Sequence, residues 1–273
     1  MSRSQPPEFS SAPSLVPSTP IEFEIRELVT IDELISSYRL RYRVYAALGY
    51  LQQPNRSKLE VDPFDQWAIP FGAFDPASGA MIGTVRLITR QPQCHFSRLV
   101  RRVLELAEDD RLAEHAQRQR PHNLPSIVSD TIEEALVAFN SDRLPVSELS
   151  RCIVVNDFRG TGISRKLMEY GIARAAFGGP ALLVGSFLPS HLPMYARYGY
   201  VQLPRTGFDL FDSVDQIAIS AVCRTDRLPQ PTRSHVGELL RIIGAETSGV
   251  LSAKVRGARL DQSFSQVPDI SPA

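Results

Sequence analysis

Residues 147–168 read Ser147-Glu148-Leu149-Ser150-Arg151-Cys152-Ile153-Val154-Val155-Asn156-Asp157-Phe158-Arg159-Gly160-Thr161-Gly162-Ile163-Ser164-Arg165-Lys166-Leu167-Met168. The pattern predicts a buried strand that runs into a glycine turn, and a helix that opens from the turn. Amides at a helix N-terminus lack partners and carry the positive end of the helix dipole, so the turn suits a phosphate or pyrophosphate. Gly160 and Gly162 allow close approach of an anion, and Arg159 adds a forked cation at the entrance. The turn lacks the Lys-Ser/Thr ending of an NTPase loop and the further glycines of a dinucleotide fingerprint. A strand-to-helix loop that holds no ligand is the alternative reading.

The 273-residue chain is long enough for one large domain or two small ones. Its 30 Lys and Arg balance its 30 Asp and Glu, which argues against a general attraction to nucleic acid or to an anionic membrane. Cys94, Cys152 and Cys223 are too scattered for a disulfide framework or a metal site and suit a reducing, cytoplasmic setting. No basic region followed by an apolar run opens the chain. Residues 175–196 carry little charge but are broken by glycines and prolines, so no transmembrane segment is expected.

Residues 1–20, rich in Ser and Pro, read as a disordered leader. Ile21, Phe23 and Ile25 then alternate with charged residues, the period of a half-buried strand. Thr30 and Glu33 form a capping box for a helix that runs to about Leu48 and carries Arg41 and Tyr45. Glu60, Asp62 and Asp65 crowd three carboxylates into six residues, which calls for nearby cations; the arginines of the preceding helix are at hand, and a plain acidic surface loop is the alternative. Residues 67–74 and 80–88 predict an antiparallel hairpin. In its second strand Gly83 signals a bulge or the close approach of another backbone, and Arg86 is a charge in an apolar run that needs a partner. Helical patterns at 96–119 and 131–139 read as an inserted lid or docking element, about 96–145, that bears Arg98, Arg101 and Arg102. Residues 163–177 predict a helix, 181–187 a strand buried on both faces, and 216–223 a last strand. Residues 226–234 read as a linker, 235–260 as a C-terminal helix and 261–273 as a tail.

The Arg159-x-x-Gly162-x-Ser164 turn resembles the donor-binding turn of the GNAT superfamily of N-acyltransferases. The spacing Arg41-x-x-x-Tyr45, then Glu60-x-Asp62-x-x-Asp65, then Gly83-x-x-Arg86-Leu87, then Glu148-x-x-Arg151 resembles a subset of it: the long-chain N-acyl amino acid synthases and the acyl-homoserine lactone synthases. The resemblance spans about residues 21–222. It implies an α/β (α+β) GNAT fold for residues 21–225, with a mixed, mostly antiparallel central sheet flanked by helices, a helical insertion and a C-terminal helix. It also implies an acyltransferase that uses acyl carrier protein, through its phosphopantetheine, or acyl-CoA as donor. No tightly bound cofactor and no metal are expected. The acceptor would be an amino acid or related small amine. An intact glycine turn, and Leu51 where lactone synthases place tryptophan, look more like the amino acid synthases. An autoinducer synthase, an ornithine N-acyltransferase, a short-chain acetyl-CoA acetyltransferase and an inactive GNAT-fold binding module are the alternatives.

By this resemblance Tyr195 stands beside the leaving thiol, and residues 153–155 (Ile153, Val154, Val155) turn amides toward the thioester oxygen. Arg159, Gly160, Thr161, Gly162, Ile163 and Ser164 cradle the phosphate. Glu148, on the strand leading into the cradle, is the candidate general base, directly or through a water, since burial there raises its proton affinity. Asp62 and Asp65 either hold the acceptor's ammonium or orient Arg41, Arg86 and Arg151. In a regular strand positions 148 and 151 point to opposite faces, so a bulge is expected within residues 149–152. Arg98, Arg101, Arg102, Arg165, Lys166 and Arg174 are candidates for docking a carrier protein.

Overall fold

Phe23 and Ile25 alternate with charged neighbours and turn inward, which makes strand β1 (Glu22–Glu27). The computed structural model describes residues 22–51, 54–90, 94–117, 124–211, 216–245 and 252–256, so the expected leader and tail lie outside the described residues. Helix α1 (Ile31–Ala47) starts at the expected capping box, Thr30 accepting from the Glu33 amide while Glu33 accepts from the Thr30 amide. A short 3-10 turn, Pro63–Trp67, is capped by Asp62 and leads into the hairpin β2 (Ala68–Phe74) and β3 (Met81–Thr89). There follow α2 (Cys94–Ala107), α3 (Asp110–Gln117), α4 (Asp130–Phe139), β4 (Val146–Val154) and α5 (Ile163–Ala175). The chain continues through β5 (Leu182–Phe187), α6 (Leu192–Ala196), β6 (Val201–Gln202), β7 (Phe208–Phe211), β8 (Gln216–Arg224), α7 (Gln230–Ala245) and β9 (Ser252–Arg256).

Among the described residues one sheet runs in the order β6-β8-β5-β4-β3-β2-β1-β9, with β7 also on β8. Only the β4–β5 pair is parallel. Neighbours on one strand face opposite layers: Leu183 packs with α5 and α7, whereas Leu182 and Val184 pack with α4. Leu167, Tyr170 and Ile172 of α5 and Val236, Leu239 and Ile243 of α7 bury against Phe71, Leu87 and Leu149. On the other face α1 and α2 share Leu34, Tyr38, Val100, Val103 and Leu104. Each such side chain contributes about 1.5–3 kcal/mol by leaving water. A Cβ on Gly83 would stand 3.0 Å from Leu167 and 3.1 Å from the Ile153 carbonyl, the close approach expected there.

Three boundaries differ from the sequence reading. The helical stretch after Phe96 is two helices, because the chain turns at Glu108 (φ +48°) and the Asp109 carboxylate then accepts from the Leu112 amide as a fresh cap. The expected insertion is also no free lid, since α2 and α4 bury their apolar stripes in the main cores. Helix α7 begins at Gln230, inside the stretch read as a linker, and Val236, Leu239 and Ile243 fix it at helical spacing onto the sheet layer that α5 covers. Residues 252–256, read as helix, form a strand that pairs Glu22↔Arg256 through Arg26↔Ser252. The free backbone edge of β1 supplies hydrogen bonds that helical periodicity does not foresee.

Candidate functional site

The centre of the molecule is β4, and two irregularities shape it. β3 and β4 stay in register from Thr89↔Ser147 to Arg86↔Ser150 and resume at Thr84↔Ile153, so Arg151 and Cys152 together face Val85. This bulge falls in the expected window. Arg151 takes φ +57°, a conformation that costs a non-glycine residue about 1 kcal/mol. In return its guanidinium leaves on the side of Arg86, while Cys152 turns to the α5 core. On its other edge β4 pairs with β5 only from Val146↔Leu182 to Glu148↔Val184, although the strands run on to Val154 and Phe187. Beyond Glu148 they part and leave a wedge in the sheet. The Val155 amide donates to the Ile82 carbonyl at 2.9 Å, which withdraws it from the amides expected to face a thioester. Successive amides alternate in direction, so Val154 donates toward the wedge.

Arg41, Arg86 and Arg151 meet Glu60, Asp62 and Asp65 in one neutral, buried network. Arg86 grips Asp62 with two bonds of 2.7 Å, reaches Asp65 at 2.8 Å and donates from Nε to Ser150 Oγ at 3.0 Å. Arg41 binds Asp65 at 2.7 and 3.0 Å and pairs with Glu60. Arg151 donates to Glu60 at 3.1 Å and to Asp62 at 2.9 Å, with its guanidinium 5.3 Å from the Tyr45 ring centre. Burial would raise the Asp62 carboxyl, but Arg86 first and then Arg151 outweigh it and hold the group far below the usual carboxylate range. Both oxygens of each of the three carboxylates already accept from an arginine or a backbone amide. Asp62 and Asp65 thus bind the arginines directly, Asp62 holding Arg86 and Arg151 and Asp65 holding Arg41 and Arg86. The outermost member is Arg151, whose side chain is 20% exposed and whose Nη1 has no acceptor among the described residues.

Glu148, 3% exposed, stands at the apex of the wedge. It does not pair with Arg151, whose bonds go to Glu60 and Asp62. The Ser126 amide donates to its Oε2 at 2.9 Å. Burial pushes the carboxyl up to about 7, against the opposing pull of Ser126, Arg86 and Arg151. Tyr195, on α6, stacks on Phe187 with ring centres 3.7 Å apart. Burial, with Cys152 and Tyr45 adding to it, keeps the phenol proton on well above its ordinary range. Burial likewise pushes the Cys152 thiol up to about 12, so it stays protonated and a poor nucleophile.

At the far end of β4 the turn has the features of an anion cradle. Gly160 and Gly162 take φ +76° and +86°, and a Cβ on either would meet nothing within 4 Å. Gly162 caps α5 without a side-chain bond, and the amides of residues 160–165 have no acceptor among the described residues. The Thr161 hydroxyl instead donates to the Phe158 carbonyl at 2.6 Å, while Arg159 stands exposed. Of the docking candidates, Arg174 is bound to Glu27, Lys166 to Glu169 and Arg102 to Glu105, and Arg165 lies 3.7 Å from Glu169. Arg98 and Arg101 are exposed and without an ionic partner among the described residues. A depression of about 650 Å³ lined by Arg90, Val137, Arg143 and Val146 lies at the opposite end of β4 and is no part of this site. No described helix is long and apolar enough to cross a membrane.

The structure therefore gathers Tyr45, Glu148, Arg151 and Tyr195 around the wedge and sets Arg41, Glu60, Asp62, Asp65 and Arg86 behind it as support. Ser126 escaped the sequence reading. Its contact is made by a backbone amide, which leaves no residue-type signature.

Residues 40–169 match the acetyltransferase (GNAT) domain family. Among solved structures, FeeM, an N-acyl amino acid synthase from uncultured soil microbes, is similar with a TM-score of 0.53 and 18% identity, over 80% of this chain and 96% of that one. BjaI, a CoA-dependent acyl-homoserine lactone synthase, is similar with a TM-score of 0.50 and 17% identity, over 80% and 90%. At these identities the likeness is one of fold. No curated protein matches the sequence.

Proposed function

We propose that this chain, whose residues 40–169 match the acetyltransferase (GNAT) domain family, moves a fatty acyl group from a carrier-protein or CoA thioester to the amino group of an amino acid. The observation that carries the reading is a buried carboxyl, pushed up to about 7, at the apex of a wedge whose strand leads to a glycine turn with uncapped amides. In this reading the donor's phosphate lies on the amides of residues 160–165 with Arg159, and its thioester carbonyl accepts from the Val154 amide. Glu148 takes the proton the acceptor's ammonium must lose. The freed amine attacks the carbonyl carbon, the C–S bond breaks and the departing thiolate takes the Tyr195 proton; the second proton leaving the new amide nitrogen returns through solvent to the Tyr195 phenolate, and Glu148 gives its proton to solvent. The protonated Cys152 thiol, turned to the α5 core, supports direct transfer over an acyl-enzyme. The free Nη1 of Arg151 favours an acceptor with its own carboxylate over a plain amine.

The test is incubation with carrier-bound and CoA-bound acyl donors across chain lengths and with mixed amino acids, read by mass spectrometry. N-acyl amino acids formed preferentially from long-chain donors are expected. Donor binding without product, or turnover of acetyl-CoA alone, would contradict the proposal.

A further inference from the structure

Glu148 does not hang free in the wedge. Ser126, from the segment between α3 and α4, is 1% exposed and its amide meets Glu148 Oε2 at 2.9 Å. The Ser126 hydroxyl adds a smaller pull toward the ionised form of the same carboxylate. The segment is pinned by its own sequence. Leu124 and Ile127 on either side of Ser126 are buried among Ile132, Leu136, Leu182 and Val184, and the Ile127 amide closes a turn onto the Leu124 carbonyl at 2.9 Å. Val184 is also the register partner of Glu148, so the anchors and the carboxylate share one wall.

We propose that Ser126 is a positioning residue for Glu148: it fixes Oε2 so that Oε1 is presented to the acceptor amine, which makes residues 124–127 a working part of the transfer site. This rests on the reading of Glu148 as the base. A donor built into a pinned backbone turn cannot swing away as a side chain can, and proton transfer in the transition state needs the base held within hydrogen-bond reach. A bond to the ionised carboxylate also favours that form against burial. The other groups facing Glu148 are Arg86 from β3, Arg151 from β4 and the Tyr200 phenol, whose Oη has no hydrogen-bond partner among the described residues. Arg86 and Arg151 are already engaged by Asp62, Asp65 and Glu60, which leaves Ser126 as the donor that bonds Glu148 directly.

The experiment titrates the full chain carrying ¹³C-carboxyl glutamate by infrared difference spectroscopy, with the Glu148→Gln spectrum subtracted to assign the band. It is paired with the pH dependence of acyl transfer from the best donor found by mass spectrometry. Ser126→Pro, which removes the amide donor, should move the Glu148 midpoint, and with it the pH profile of kcat, toward alkaline pH by about one unit, whereas Ser126→Ala, which keeps it, should move it by less. Ser126→Thr should restore the original midpoint, and donor KM should stay unchanged. Should Ser126→Pro fail to fold, an ester in place of the residue 126 amide, installed with the α-hydroxy analogue of serine, decides. Midpoints unmoved in folded Ser126 variants, with Glu148→Gln inactive, overturn the inference while leaving the base reading intact. A fully active Glu148→Gln overturns both.

Discussion

A buried carboxylate within the field of two arginines would ordinarily ionise with ease, yet burial keeps the proton on Glu148 up to about 7 against their pull, and both arginines give their direct bonds to Asp62, Asp65 and Glu60. Two residue-level consequences can be measured. Between its ordinary value of 4.5 and about 7, Glu148 is more protonated in the folded than in the unfolded chain, so its contribution to stability is complete below 4.5 and is lost as pH rises through about 7. Denaturation across that window should show a loss on the order of 3 kcal/mol that is absent in Glu148→Gln. Arg86→Met keeps the bulk but leaves Asp62 and Asp65 under-compensated, so chemical denaturation should show a loss of about 3–5 kcal/mol. Arg86 was legible as a charge requiring a partner, since an isolated ion in an apolar run is improbable on energetic grounds. Ser126 was not, since it acts through an atom every residue but proline possesses.

At the scale of elements, the bulge in β4 and the turn into α5 do separate jobs. The bulge turns Arg151 toward the wedge, and its place in the sequence followed from the Glu148-x-x-Arg151 spacing of the resemblance joined to strand geometry: positions 148 and 151 cannot share a face of a regular strand. The turn offers amides, and Gly162 at φ +86° has open space where a Cβ would stand. Gly162→Ala should cost about 1 kcal/mol through backbone strain alone. It should also raise KM for the thioester donor several-fold while leaving the Glu148 pH midpoint in place. An unchanged donor KM would place the phosphate elsewhere. Helix α1 was legible because its start is written in side chains, Thr30 and Glu33. The break between α2 and α3 was not, because it rests on Asp109 capping a new turn and accepting from the distant Ser57 amide.

For the molecule as a whole, α5 and α7 cover one face of the sheet and α1, α2 and α4 the other, while β4 and β5 part at Glu148. Alternating and helical periodicities gave the order of elements. Pairing at the sheet margin, as of residues 252–256 with β1, depends on an edge that only the assembled fold exposes. The most direct test is a structure bound to a non-reactive thioether analogue of an acyl-pantetheine phosphate donor. The expected result places phosphate oxygens about 3 Å from the amides of residues 160–165 and the acyl carbonyl between the Val154 amide and Glu148. An analogue seated anywhere else, with those amides left empty, would contradict it.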